Sequence, residues 1–130
     1  MAAGQALRNL AIAAPPALAL NAAVVAWARP LAPDFILLSY GVVLFWTLVG
    51  AAGIVLVHGL LARRGPGAVA RIWKWVALAL GLTVLPDLAM LLIGQVFPGQ
   101  TVGAVWVLIL LHATCAGAVM ATSPLWRPKP

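Results

Sequence analysis

The sequence predicts an all-α membrane protein, a four-transmembrane-helix antiparallel bundle with both termini in the cytoplasm. Three observations carry that expectation. Hydrophobic residues make up 65% of the 130-residue chain and charged residues 8%, which is far from the balance of a soluble globule. Four apolar stretches reach the roughly 20 residues that a helix needs to cross about 30 Å of hydrocarbon. The basic residues, finally, gather on one side of the spans those stretches define.

The first stretch covers about residues 10–28 and contains Pro15, Pro16 and Asn21. Two prolines remove two amide donors, so a kinked or late-starting helix is expected there. Residues 35–61 form the second stretch, free of charge and closed by Arg63 and Arg64. A third, residues 72–97, opens with the collar Trp73, Lys74 and Trp75 and runs to the turn Pro98-Gly99-Gln100, interrupted only by Pro86 and Asp87. Such a mix of aromatic and basic side chains belongs at a membrane surface. The fourth, residues 102–121, has His112 near its middle and gives way to a proline-rich, basic tail at 122–130. All four belong to a single membrane domain over residues 1–130.

Lipid offers the backbone no hydrogen-bond partner, so these continuous runs have to be helices. They also lack the alternation of a membrane barrel. Arg8, Arg63, Arg64, Arg71, Lys74, Arg127 and Lys129 fall on one side of the predicted spans and Arg29 alone on the other. That bias places both ends and the second loop in the cytoplasm. In a competing reading Ala26-Trp27-Ala28 ends a cleaved signal peptide, but the apolar run of about 19 residues exceeds the usual 7 to 15 of a signal core. No internal repeat relates the halves, which argues against an inverted-repeat transporter built within one chain.

The formal charge of +6 comes from basic residues scattered among apolar neighbours, unlike a nucleic-acid surface. The lone Cys115 can form neither an internal disulfide nor a C-x-x-C motif. With no phosphate loop, nucleophile and base pattern, or metal cluster, neither enzymatic activity nor a cofactor nor a metal site is expected.

Asp87 is the residue that calls for explanation, because a carboxyl group deep in an apolar helix is costly without a partner. Counting outward from the turn at residues 99–100, Asp87 and His112 each lie about 12.5 residues away, or nearly 19 Å along their helices at 1.5 Å per residue. Both therefore fall near mid-membrane. Thr83 lies one turn from Asp87, Cys115 lies one turn from His112, and Pro86 leaves the Leu82 carbonyl without its usual donor. An intramembrane polar site of Asp87, His112, Thr83 and Pro86 is the candidate. It is read either as a static pair fixing helix register or as a site of proton exchange.

Asn21 and Thr47 are secondary polar residues suited to bridging helices. His58 lies about four residues from the end of its span against about ten for His112, an offset near 9 Å that argues against a shared haem. It is expected as an interfacial residue beside Trp73 and Trp75. The small residues Gly50 and Gly53 on the second span, and Ala113, Gly117 and Ala121 on the fourth, predict close backbone approach in a bundle or at a dimer seam.

The runs Leu60-Leu61-Ala62-Arg63-Arg64-Gly65, Leu85-Pro86-Asp87-Leu88 and Leu111-His112 resemble those of an uncharacterised family of small bacterial four-span integral membrane proteins, over about residues 20–121. The resemblance implies a helical bundle in the bacterial plasma membrane without an assigned activity. Taken together, the sequence leads to the expectation of a non-enzymatic accessory or structural membrane subunit, with a small oligomeric proton-coupled transporter or channel as the alternative. Its partners are then the lipid bilayer and either a homo-oligomer or a larger membrane complex.

Overall fold

A computed structural model describes residues 3–126. Its secondary structure is helical throughout, with no strand among the described residues. Four helices are long and apolar enough to cross a membrane. They are α1 (Ala3–Ala28), α2 (Tyr40–Ala62), α4 (Ile72–Ile93) and α5 (Val102–Ala121), with the single-turn α3 (Pro66–Val69) between the second and third of them. The basic tail residues Arg127 and Lys129 lie outside the described residues.

The first helix starts seven residues earlier than the apolar pattern predicts and runs unbroken through Pro15 and Pro16. Its opening turns are polar and were invisible to a hydropathy reading, yet their side chains have partners. The Gln5 amide donates to Asn9 Oδ1 at 2.8 Å and to the Trp126 carbonyl at 3.3 Å, and Arg8 reaches the Leu125 carbonyl at 3.5 Å. The chain after α5 therefore folds back as a short 3-10 turn, Ser123–Trp126, onto the start of α1.

The second helix starts at Tyr40 instead of residue 35. Residues 29–31 and 36–38 form 3-10 turns across the end of the bundle, and Ser39, in extended conformation, accepts the first helical bond from Val43 N at 3.0 Å. Phe35 and Leu38 point inward and are buried. Arg29 stands 5.9 Å over the Tyr40 ring, close enough for a cation–π contact.

The third long helix stops at Ile93, four residues short of expectation, because Gly94 takes φ 92°, a value glycine reaches without strain. Gln100 satisfies the freed backbone: its Nε2 donates to the Met90 and Gly94 carbonyls at 3.2 and 2.9 Å, and its Oε1 accepts from Val96 and Phe97 N–H at 3.0 and 3.2 Å. At α5 the Thr101 hydroxyl accepts from Ala104 N at 3.1 Å, an N-cap that supplies one of the orphan donors of a helix start.

The two loops at this end clasp each other. Gly99 has φ 71°, and a Cβ there would lie 2.6 Å from the backbone carbon of Asp34. Phe35 and Phe97 face each other at 6.5 Å.

The core forms three clusters along the bundle. Val25, Phe35, Leu38, Met90, Val105 and Leu108 belong to the one beneath the clasp. Ala13, Ala17, Ala51, Val55, Cys115, Val119 and Trp126 join α1, α2 and α5, and Leu61, Ile72, Val76 and Met120 hold the start of α4. Alanines at the α1–α2 seam let the backbones approach closely, which is how helices associate where the hydrophobic effect is absent. Gly50 serves the same purpose against α5, where a Cβ would stand 3.3 Å from Cys115 Sγ.

The predicted ridge Ala113, Gly117 and Ala121 is not a packing ridge of this bundle. All three are exposed, and neither Gly117 nor Gly53 has a neighbour that a Cβ would meet. The inward face of α5 is instead the row Leu108, Leu111, Cys115 and Val119. Helices α1, α2 and α5 form the packed unit, while α4 lies chiefly on α5 and touches α2 at few points.

Candidate functional site

Among the buried polar residues of the long helices, Asn21 and Asp87 are held differently. Asn21 on α1 is 2% exposed. Its Nδ2 donates to Thr47 Oγ1 of α2 at 2.7 Å and to the Leu111 carbonyl of α5 at 3.2 Å. Its Oδ1 accepts from the Thr114 hydroxyl at 2.6 Å. Thr47 passes its own proton to the Val43 carbonyl at 2.7 Å. One asparagine thus ties three helices together, both of its amide protons and its oxygen engaged. Thr114 was not anticipated; its signal in the sequence was a hydroxyl two positions from His112, on the opposite face of α5 and so toward α1.

Asp87 on α4 is 6% exposed, and Pro86 precedes it within the helix. Its Oδ2 lies 3.2 Å from His112 Nδ1 on α5, so the two residues placed at one depth by counting from the turn do meet. The same Nδ1 lies 2.9 Å from the Leu108 carbonyl one turn earlier. The contact to the carbonyl has hydrogen-bond geometry, while the contact to Asp87 Oδ2 is at ion-pair distance. Buried Oδ2 is left without a hydrogen bond among the described residues. Its polar neighbour is His112 Nδ1, so the pair relies on that one contact where Asn21 has several.

A cleft of about 700 Å³ opens beside this pair, between α2 and α4, with α5 as its floor. Trp46, Thr47 and Gly50 form one wall, Leu82, Thr83, Pro86 and Asp87 the other, and His112 and Cys115 line the floor. Cys115 Sγ points to the Thr47 carbonyl at 3.6 Å.

Thr83 shares the cleft wall, yet its hydroxyl donates to the Leu80 carbonyl of its own helix at 3.0 Å and the residue is exposed. The predicted grouping is therefore the Asp87 and His112 pair with Pro86 and Thr83 as wall residues.

His58 is elsewhere. Its ring meets Trp126 edge to face at 5.0 Å, in place of the expected neighbours Trp73 and Trp75, because the chain after α5 returns over α2. Trp126 is 1% exposed, and no hydropathy reading would bury a tryptophan lying four residues from a polar end. Among the described residues no three potential metal ligands come together. Compared with known protein families, curated proteins and solved structures, the chain matches none.

Proposed function

We propose that this chain is a multi-pass protein of the bacterial plasma membrane, its four spans alternating in direction and both ends cytoplasmic. We further propose that it acts as a non-enzymatic accessory subunit by holding another molecule in the cleft between α2 and α4. The contact of Gln5 with Trp126 brings the start of α1 and the chain after α5 to one end of the bundle, as an even number of alternating spans requires. Arg8, Arg63, Arg64, Arg71 and Lys74 favour the cytoplasm for that end.

One observation carries the binding role. Asn21 has its hydrogen bonds met within the bundle, whereas Asp87 Oδ2, at the wall of an open cleft, has the 3.2 Å contact to His112 and no hydrogen bond. Intramembrane acids are kept for a partner as a rule, and a molecule carrying an N–H or O–H donor would supply one.

A photocrosslinking residue at Leu82, exposed on the cleft wall, tests this in growing cells. The expected result is an adduct of defined mass that Asp87→Leu removes. Ordinary phospholipid adducts, equal in the two backgrounds, would refute the binding role.

A second reading, a small proton-coupled transporter or channel, is favoured by the 3.2 Å approach of Asp87 to His112. It predicts proton flux in liposomes that Asp87→Asn abolishes. Equal, background-level flux in both proteins would remove it.

A further inference from the structure

Away from the cleft, the sequence spacing Arg71, Lys74, Trp75 and Leu78 is i, i+3, i+4 and i+7, which places all four on one face of α4. The structure turns that face toward Arg64, at the turn after α2, and toward Ala68 of α3. Together with Leu61 these residues line an open groove of about 430 Å³. Three of its lining residues, Arg64, Arg71 and Lys74, are cations. Leu61, Leu78 and the half-exposed Trp75 give it apolar surface.

The groove holds no acid to balance this charge. The chain has only two acidic residues, Asp34 and Asp87. Asp34 lies in the loop clasped by Gly99 at the far end of the bundle, and Asp87 faces His112. Arg71 commits its Nε to the Gly67 carbonyl at 3.2 Å, which fixes where the guanidinium stands without neutralising it. The first turn of α4 adds the positive end of a 22-residue helix at the same place, a further attraction for an anion.

We infer that this groove is a binding site for an anionic glycerophospholipid of the surrounding leaflet. Its phosphodiester is held by Arg64, Arg71 and Lys74, and the start of its acyl chains lies along Trp75, Leu61 and Leu78. A soluble anion would use the cations and waste the apolar surface; a zwitterionic lipid would bring its own cation into a groove that already has three. Basic pockets between membrane helices on the cytoplasmic side recognise lipid head groups by this chemistry. The inference rests on the reading of the chain as membrane-spanning and is independent of the Asp87 cleft.

The test uses the full chain in nanodiscs of phosphatidylcholine doped with phosphatidylglycerol, with retained lipid counted by native mass spectrometry. The wild type is expected to keep phosphatidylglycerol at least tenfold above its share of the bilayer. The triple variant Arg64→Gln, Arg71→Gln, Lys74→Gln is expected to lose that enrichment. The pair Arg8→Gln, Arg63→Gln removes charge from outside the groove lining and is expected to retain it.

Equal loss in both variants would show a diffuse charge effect and overturn the site, as would no enrichment in the wild type. Glycerol phosphate added in excess distinguishes the sources: displacement of the lipid by the soluble ester would overturn the claim that a lipid is the ligand. Failure of the chain to enter nanodiscs at all would instead strike the membrane reading itself.

Discussion

The unit formed by α1, α2 and α5 and the attachment of α4 show two ways of placing polar atoms in a greasy bundle. In the first, Asn21 engages Thr47, Thr114 and the Leu111 carbonyl, and alanines pack the seam so closely that Ala13, Ala17 and Ala51 have no exposure. In the second, Asp87 approaches His112 without an aligned hydrogen bond, and a cleft stands where a wall would otherwise be. The contrast teaches that burial of a polar residue does not by itself say whether it is there for the fold. Between these two residues the difference lies in how much of the hydrogen-bonding capacity the bundle itself meets.

Four substitutions sharpen or break this contrast, each read as the unfolding free energy of the detergent-solubilised protein. Trp126→Ala should cost most, about 3 kcal/mol, since it empties a site under His58 and among Val55 and Val119 and large-to-small changes in packed sites have that size. A negligible loss would remove the returning C-terminal turn from the packed unit.

Gly99→Ala comes next, at about 2 kcal/mol or more, because the new Cβ meets Asp34 backbone while φ stays positive and L-residues pay for that region. Asn21→Leu should cost about 1 to 2 kcal/mol, the scale of interhelical hydrogen bonds in membranes. Thr83→Val should change stability by no more than about 0.5 kcal/mol, the scale of exposed positions, because the hydroxyl serves only its own helix; a large loss would show that the α4 wall is held by it.

That the chain is all-helical, with four helices long and apolar enough to cross a membrane, was legible because an apolar run of that length in lipid is expected to be a helix. Asp87 opposite His112 was legible for a related reason: a short turn makes depth a matter of counting. Helix ends were not. Gln5, Asn9 and Arg8 look like the exterior of a span and turn out to be its helical continuation, because the chain after α5 returns to meet them. Gln100 likewise caps α4 through a side chain, which no periodicity announces.

Helix rotation was the other loss. The α5 ridge of small residues suggested an inward face, yet the face that packs is the row through Leu108, Leu111 and Cys115. In an almost uniformly apolar helix, inside and outside differ too little in hydropathy to be read. Thr114 was overlooked for the same reason, since its role depends on which side of α5 meets α1.

On this contrast the bundle needs Asn21 and does not need Asp87. Unfolding of Asn21→Leu and Asp87→Leu, measured side by side, tests it most directly. Loss of one member of a buried pair is costly where it leaves the other charged and unpaired, but Asp87→Leu removes a buried oxygen that has no hydrogen bond while leaving His112, itself half-buried, bonded to the Leu108 carbonyl. The account predicts that Asp87→Leu matches or exceeds the wild-type midpoint while Asn21→Leu falls below it by about 1 to 2 kcal/mol. A loss for Asp87→Leu equal to or larger than that for Asn21→Leu would contradict it, and would make Asp87 a strut of the fold.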